Sequence, residues 1–203
     1  TLMPKPSLKP RAEQVIVVTG ASSGIGLVTA RTAAARGAKV MLVARGEAAL
    51  ARIVGEIEAA GGTAAYAVAD VGDLFAVQAA ADATVARFGR IDTWVNNAGV
   101  AIYAKLIDTP PDEHERMFRT NYFGAVNGAL AAFSHLRTHG GALITVGSIA
   151  SELPSPIMGA YAASKHAVKG FVDALRIEVN GDRLPIAVTL ILPAGIDTPI
   201  AQH

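Results

Sequence analysis

The stretch Thr19-Gly20-Ala21-Ser22-Ser23-Gly24-Ile25-Gly26 decides the fold prediction, because it joins an apolar run to a helical pattern. Residues 15–19 are all β-branched and predict a buried strand, whereas residues 24–36 have the pattern of a helix that ends at Gly37. Glycines at such a junction let the backbone turn sharply and approach a pyrophosphate at the helix N-terminus. A glycine turn without a ligand is the alternative, and the three residues between Gly20 and Gly24 depart from the common dinucleotide fingerprint.

Strands and helices alternate along the rest of the chain. Further strands are predicted at residues 39–43, 64–68, 91–95, 142–146 and 186–192, and further helices at 47–60, 74–88, 112–136 and 161–179. Nearly continuous apolar strands that alternate with helices indicate a parallel sheet covered on both faces. We therefore predict a single α/β domain of the doubly wound, Rossmann type at residues 14–203, preceded by a loose N-terminal arm at residues 1–13. Ligands of such folds bind at the carboxyl ends of the strands.

The composition excludes several classes of protein. Of the 203 residues 51% are hydrophobic and 17% are charged, which is unlike a disordered chain. The net charge of +1 gives no electrostatic reason to expect nucleic acid or an anionic membrane as a partner. Without cysteine there are no disulfides, and the five histidines do not have metal-ligand spacing, so no metal site is predicted. We find neither an apolar run as long as a membrane span nor a signal peptide, and expect a cytoplasmic protein.

Further motifs follow the later predicted strands. Asp70-Val71 follows the third strand, Asn96-Asn97-Ala98-Gly99 the fourth, and Ser148 the fifth. Asn121 lies in the long helix, Tyr161-Ala-Ala-Ser-Lys165 opens the last helix, and Pro193 and Thr198 follow the sixth strand. Together with the glycine loop, and in this order, these motifs resemble the short-chain dehydrogenase/reductase superfamily along almost the whole chain.

The choice of cofactor is predicted at the end of the second strand. An acid about 20 residues past the glycines would bind the ribose hydroxyls of NAD. Arg45 stands there instead, after Ala44, and a guanidinium can pair with the 2′-phosphate of NADP. A solvated arginine is the alternative, but the resemblance to NADP-preferring members favours NADP over NAD. The cofactor contacts that the resemblance implies are Gly20, Ser22, Ser23, Gly24, Ile25, Gly26, Arg45, Asp70, Val71, Asn97, Ala98, Gly99, Tyr161, Lys165, Pro193, Ile196 and Thr198.

Two of these positions also have ordinary structural interpretations. The resemblance implies that Asp70 hydrogen-bonds the adenine beside Val71, but an acid at a strand end is also a common N-cap. The segment Asn96-Asn97-Ala98-Gly99 could likewise be a simple turn, since Asn and Gly favour turns. In the family this loop stabilises the central sheet and lines the adenine-ribose region.

The reacting group is predicted at Tyr161 and Lys165, which project from one helix face because they lie four residues apart. An ammonium group can lower the tyrosine pKa of about 10 only in a largely dry cleft, with help from the positive nicotinamide. A surface Tyr–Lys pair is the alternative. The resemblance implies that Ser148 hydrogen-bonds the substrate carbonyl and that Tyr161 passes the proton. It also implies that Lys165 binds the nicotinamide ribose and that Asn121 holds a water for proton relay.

We therefore expect an NADP(H)-dependent alcohol dehydrogenase or carbonyl reductase that acts on a secondary alcohol or ketone. A regulatory nucleotide-binding protein with little or no turnover is the alternative, and an isomerase on the same scaffold is less favoured. The expected cleft walls, residues 100–107 and 149–158, are mostly apolar and suggest a lipophilic carbonyl compound, although Glu152 suggests a polar group nearby. The stripe Phe171, Leu175 and Val179 is either core or a subunit contact in a homo-dimer or homo-tetramer.

The last predicted loop departs from the family pattern, because Ala194 separates Pro193 from Gly195. Relatives continue with a mobile substrate lid and one more strand, which are not among these 203 residues. An uncovered edge strand is an aggregation liability, and a cleft without a lid would be wetter. We therefore expect the functional protein to extend beyond His203.

Overall fold

A computed structural model describes residues 8–196 and residue 200, and it contains one six-stranded sheet. The strands are β1 (Val15–Thr19), β2 (Lys39–Ala44), β3 (Thr63–Val68), β4 (Thr93–Asn96), β5 (Gly141–Val146) and β6 (Ile186–Ile191). All neighbouring strands are parallel, in the order β3-β2-β1-β4-β5-β6. The order reverses direction between β1 and β4, so a crevice opens there at the carboxyl ends of the strands.

Helices cover both faces of the sheet. They are α1 (Gly24–Ala35), α2 (Glu47–Ala59), α3 (Leu74–Phe88), α4 (Pro111–Phe118), α5 (Gly124–His139) and α6 (Gly159–Gly181). Successive strand residues point to opposite faces, so Val17 joins a core cluster with α3 and α5, whereas Val18 joins one with α1 and α2. The predicted doubly wound α/β fold is therefore confirmed. Among the helices of the described part, none is long and apolar enough to cross a membrane.

Several element boundaries differ from the sequence prediction by one or two residues, and the largest differences concern the helix predicted at 112–136 and the start of β4. The helix predicted at 112–136 consists of α4 and α5, which a π-helical turn at Arg119–Phe123 connects. Strand β4 begins at Thr93 rather than at residue 91, because the backbone and carboxylate of Asp92 turn towards Val15. The α6 stripe is core, since Val179 is buried and Phe171 and Leu175 pack against the same cluster.

A polar cluster lies at the opposite end of the sheet from the crevice. The buried carboxylate of Asp92 accepts hydrogen bonds from Lys9 Nζ at 2.6 Å, from the Val15 amide at 2.8 Å and from Arg90 Nε at 2.8 Å. Burial opposes ionisation of this carboxyl group, but the hydrogen bonds from Lys9, Arg90 and Val15 outweigh it and lower the pKa of Asp92. Gln14 also donates to the Lys9 carbonyl at 2.7 Å, so the chain before β1 is tied to the sheet.

Candidate active site

A cleft of about 640 Å³ lies at the carboxyl ends of the strands. It brings together most of the side chains that the sequence predicted as functional. The predicted residues that line it are Gly20, Ser22, Ser23, Gly24, Ile25, Arg45, Asp70, Val71, Asn97, Ala98, Gly99, Ser148, Tyr161, Lys165, Pro193 and Ile196. Gly26 and Asn121 are buried behind this lining, and Thr198 lies outside the described residues.

The glycine loop after β1 is fixed to the end of β4 by Asn97. The Asn97 side chain donates to the carbonyls of Thr19 at 2.9 Å and Gly20 at 3.3 Å. Gly20 has a φ of +64°, and a Cβ on it would lie 2.7 Å from the Cα of Ala98. A Cβ on Gly26 would overlap the carbonyl of Gly20. These two glycines are therefore required by close backbone packing, which a simple surface turn would not need.

Helix α1 presents its N-terminus to the cleft. It begins at Gly24, after Ser23. Among the residues that the structure describes here, the Ser23 side chain makes no capping hydrogen bond. The first turn of α1 also contains no acidic residue. Its backbone amides therefore face the space that Ser22 and Ile25 line, where the helix dipole favours a negative group. This arrangement fits the pyrophosphate of a dinucleotide.

Two predicted contacts lie at the other end of the cleft. Arg45 is exposed directly after β2 and lines the cleft beside Ala44. The Asp70 carboxylate accepts from the Gly72 amide at 2.9 Å and also lines the cleft. The helix N-cap that was the alternative for Asp70 is instead Asp73, which accepts from the amides of residues 75 and 76.

The buried Asn121 side chain holds the loop after β4. Its Oδ1 accepts from the Val100 amide at 2.8 Å, and its Nδ2 donates to the Val100 carbonyl at 3.0 Å and to Ser164 Oγ at 2.9 Å. Both amide hydrogens of Asn121 are therefore used. A water-holding role, which stays a prediction, would fall to its backbone within the π-helical turn.

Ser148 follows β5 and has a fixed orientation. Its Oγ accepts from the Ala150 amide at 3.1 Å, and its own amide donates to Ser151 Oγ at 3.3 Å. This reciprocal capping box begins a short 3-10 helix, Ile149–Ser151. The hydroxyl hydrogen of Ser148 is available to the Tyr161 hydroxyl, which lies in the same cleft.

Tyr161 and Lys165 lie in the first turns of α6, and both are buried. Lys165 Nζ donates to the Val146 carbonyl at 3.0 Å and lies 5.7 Å from the centroid of the Tyr161 ring. Burial lowers the pKa of Lys165 from 10.5 to about 8. The surface Tyr–Lys pair that was the alternative does not occur here.

The pKa of Tyr161 changes in a direction opposite to the expected one. Burial raises it, a hydrogen bond with Ser148 lowers it, and the nearby Tyr103 raises it again. Lys165 is not among the groups that lower the pKa of Tyr161; its ammonium group is 5.7 Å from the ring centroid and is bound to the Val146 carbonyl. The phenol of Tyr161 is therefore held in its protonated form.

Three residues with a role in this site were missed by sequence reasoning. Thr19 Oγ1 accepts from the amides of Asn97 at 3.0 Å and Ala98 at 3.2 Å, and so aligns the ends of β1 and β4. Ser164 Oγ donates to the Tyr161 carbonyl at 2.7 Å and connects α6 with Asn121. Thr120 lines the cleft from the π-helical turn. Ser164 lies inside the quoted Tyr161–Lys165 motif, so its position was the available signal.

The chain is similar to known proteins along almost its whole length. Residues 14–203 match the family model for short chain dehydrogenases. The uncharacterized oxidoreductase YxnA of Bacillus subtilis (strain 168) is 45% identical over 201 residues, which are 98% of this chain and 56% of that protein. The chain thus spans little more than half the length of this relative.

Two solved structures are also similar. A short chain dehydrogenase/reductase from Burkholderia phymatum, in complex with NAD, matches with a TM-score of 0.89 and 32% identity, over 92% of this chain and 67% of that one. An alcohol dehydrogenase from the archaeon Thermococcus sibiricus, complexed with 5-hydroxy-NADP, matches with a TM-score of 0.86 and 29% identity, over 92% and 78%. Since the matched family region includes every strand and the whole cleft, the chain belongs to the short-chain dehydrogenase/reductase family.

Proposed function

We propose that the chain is an NADP(H)-dependent oxidoreductase that acts on a secondary alcohol or ketone, with Tyr161 as the acid/base group. One observation carries the proposal: Ser148, Tyr161 and Lys165 line the same cleft as the glycine loop, although they come from separate elements. The ketone oxygen would lie between the hydroxyls of Ser148 and Tyr161. When it is bound, the nicotinamide supplies or accepts the hydride.

The chain's own residues would hold the cofactor along the whole cleft. The amides at the start of α1 would receive the pyrophosphate, and Asp70 and Val71 would border the adenine. Lys165 would contact the nicotinamide ribose. Its position supports this, because Lys165 lines the cleft beside Gly99, where a Cβ on Gly99 would lie 3.6 Å from Lys165 Nζ.

Proton transfer follows from the protonation states of the buried pair. The raised pKa of Tyr161 keeps its phenol protonated at neutral pH, so it is ready to donate to a ketone oxygen. Lys165, with a pKa of about 8, is mostly charged at pH 7, and together with the positive charge of an oxidised nicotinamide it would stabilise the phenolate that the donation leaves behind. Burial of both groups strengthens this attraction relative to water.

The preference for NADP rests on Arg45, because the similar structures include one complex with NAD and one with an NADP derivative. Arg45 is exposed and borders the cleft, and Ala44 offers no carboxylate for ribose hydroxyls. We expect NADPH to bind at least about tenfold more tightly than NADH, a difference of about 1.4 kcal/mol. Titration with both cofactors at moderate salt measures it, and equal dissociation constants contradict it.

A charge reversal tests the role of this arginine. Arg45→Asp should invert the cofactor preference, because a carboxylate repels the 2′-phosphate and accepts hydrogen bonds from ribose hydroxyls. Arg36→Asp is the matched control, since Arg36 is an exposed arginine at the opposite end of α1. An equal effect of both substitutions would mean that only the overall charge matters.

Turnover separates the enzyme from the regulatory alternative. The nicotinamide absorbance is followed while a panel of ketones and secondary alcohols is offered with each cofactor. Tight cofactor binding without any absorbance change would favour the regulatory protein. The burial of Lys165 supports turnover, because burying an ammonium group opposes folding and a purely structural residue would not require it.

A further inference from the structure

The part of the cleft beyond the Tyr161 hydroxyl is lined mainly by apolar side chains. We call this part the substrate pocket and define it by Tyr103, Ile149, Ala150, Ser155 and Met158. Ile196 and Ile200 continue the apolar lining on the far side. Among the described residues that line the cleft, the charged side chains other than Lys165 are Arg45 and Asp70, at the adenosine end.

The two walls of the substrate pocket are tied together. The Ala104 amide donates to the Ile157 carbonyl at 2.8 Å, so the loop after β4 is bound to the loop before α6. Leu106 packs on the start of α6, where a Cβ on Gly159 would lie 2.6 Å from its Cδ1. Ala150 and Met158 belong to the same apolar cluster as Tyr161. The two loops that line the pocket are therefore held in place by these contacts, and the pocket adjoins Tyr161.

Ile157, next to Met158 in the chain, has a conformation that its residue type disfavours. Its φ is +57°, although a β-branched residue rarely adopts a left-handed backbone. Half of the Ile157 residue surface is exposed, so burial does not offset this strain. Glycine or asparagine would fit the backbone better. Ile157 is not one of the residues that line the cleft, so its strain bears on folding and not on the substrate pocket.

Glu152 does not give the pocket a polar wall. It is exposed and lies outside the cleft lining, and its carboxylate is 3.7 Å from Lys169 Nζ. Glu152, which the sequence suggested as a polar group near the substrate, therefore lies at the protein surface beside α6 and not in the pocket.

Tyr103 is the large side chain that faces the reactive group. It lines the same cleft as Tyr161, and it is near enough to raise the pKa of Tyr161. About half of the Tyr103 surface is exposed, which leaves its ring available to a ligand. Ile149, adjacent to Ser148, is exposed to a similar degree on the other wall.

We propose that the substrate pocket selects an uncharged, bulky and largely apolar ketone or secondary alcohol, and that Tyr103 and Ile149 determine this specificity. The inference rests on the proposed function and adds the substrate class to it. A buried methylene contributes about 0.8 kcal/mol, which corresponds to a fourfold change in affinity. We therefore expect kcat/KM to rise about two- to fourfold for each added methylene until the pocket is filled.

The experiment uses methyl ketones from 2-butanone to 2-decanone with NADPH, and a keto acid of matched length. We expect kcat/KM to increase along the series and the carboxylate to reduce it at least tenfold. Ile149→Ala and Tyr103→Ala should flatten the dependence on length, whereas Tyr103→Phe should keep it because the ring is retained. Ile177→Ala, an equal truncation at an exposed position on α6, is the control and should change nothing.

A second variant guards against misfolding as an explanation. Ile157→Gly relieves the positive φ without changing a residue that lines the cleft, so the double variant Tyr103→Ala/Ile157→Gly should fold more stably than Tyr103→Ala and still lack the length dependence. Turnover that is equal for short and long ketones would overturn the inference and leave the proposed function intact.

Absence of turnover with every ketone would instead contradict the proposed function. The substrate class is then tested by calorimetric titration of 2-octanol and 2-butanol into the NADPH complex. Tighter binding of the longer alcohol, lost in Tyr103→Ala, supports the pocket assignment. Equal binding of the two alcohols overturns it.

Discussion

Asp92 and Lys165 are ionisable side chains with almost the same small exposure, 5% and 4%, at opposite ends of one sheet. Asp92 precedes β4 at the amino end and receives hydrogen bonds from two cationic side chains and one amide. Lys165 lies at the carboxyl end, and the hydrogen bond found for it goes to the neutral carbonyl of Val146. The pKa of Asp92 is lowered and that of Lys165 is also lowered, which favours the charged carboxylate but disfavours the charged ammonium.

The difference shows which buried charged group stabilises the folded state and which one destabilises it. A buried charge with complementary partners stabilises the fold, whereas a buried charge without an opposite charge is destabilising but chemically reactive. We therefore expect a structural role for the amino end of the sheet and the proposed catalytic role for its carboxyl end. Substitutions at the two ends should separate stability from activity.

The largest expected effect is on turnover at the carboxyl end. Tyr161→Phe removes the proton donor and should reduce kcat by a factor of about 10² or more, or about 2.7 kcal/mol, with little change in cofactor affinity. Steady-state kinetics and cofactor titration measure the two quantities. Tyr103→Phe, in the same cleft, is the matched control and should keep most of the activity. Substantial activity in Tyr161→Phe would contradict the assigned role.

Lys165→Met should increase the free energy of unfolding, although it removes a buried ammonium group and its hydrogen bond. The pKa difference between 10.5 and about 8 corresponds to roughly 3 kcal/mol of unfolding free energy at pH 7. After subtraction of about 1 kcal/mol for the hydrogen bond to Val146, the variant should be about 2 kcal/mol more stable and nearly inactive. Lys169→Met, one turn later and ion-paired with Asp173, should change neither by much.

Urea denaturation of these two variants decides the point. A loss of stability in Lys165→Met would mean that the buried ammonium has a favourable structural role. The comparison with Asp92 would then fail.

Asp92→Asn should affect stability alone. The amide cannot accept all three hydrogen bonds, and two cationic donors lose their charged partner, so we expect a loss of about 1–2 kcal/mol. Asp173→Asn breaks ion pairs with Lys169 and Arg176 at a more exposed site and should cost less than about 0.5 kcal/mol. Equal losses in these two variants would show that burial of Asp92 does not matter.

The smallest effects are in the pH dependence of these stability differences. Because the folded pKa of Asp92 is lowered, its contribution is complete above the ordinary Asp pKa of about 3.9 and is lost as pH falls through the folded value. For Lys165 the gain from Lys165→Met is complete below about pH 8 and disappears towards 10.5. Denaturation between pH 2.5 and 10.5 measures both. A gap that stays constant across these windows would contradict the assigned groups.

The sheet could be predicted because its signals are local. The β-branched run of β1, the glycines after it and the alternation of strands and helices need no knowledge of distant residues. The position of Ser148 could also be predicted, since the carboxyl ends of parallel strands meet at one edge, whereas its convergence with Tyr161 and Lys165 of α6 was expected only from the family resemblance. The choice of cofactor and the proton-transfer role of Tyr161 stay predictions.

Other features depend on contacts between distant segments. The π-helical turn carries Asn121 to the Val100 backbone and Ser164, and the intervening sequence has no glycine or proline to reveal it. The start of α3 at Leu74 was predicted correctly, but the sequence offered Asp70 as an alternative N-cap, and the chemically identical Asp73 has that role. The raised pKa of Tyr161 follows from three-dimensional burial, which spacing alone cannot give.

The π-helical turn at Arg119–Phe123 also determines which face of the following helix, α5, contacts the sheet. The Gly124 amide bonds to the Arg119 carbonyl five residues earlier, one residue more than in an α-helix. The extra residue rotates the side chains of α5 by about 100° around the helix axis, and only with this rotation does Gly128 face Trp94. A Cβ on Gly128 would lie 2.6 Å from the indole nitrogen of Trp94. Deletion of a single residue from this turn would therefore rotate α5 about its axis. The wrong face of α5 would then contact the sheet, although every side chain of that helix is unchanged.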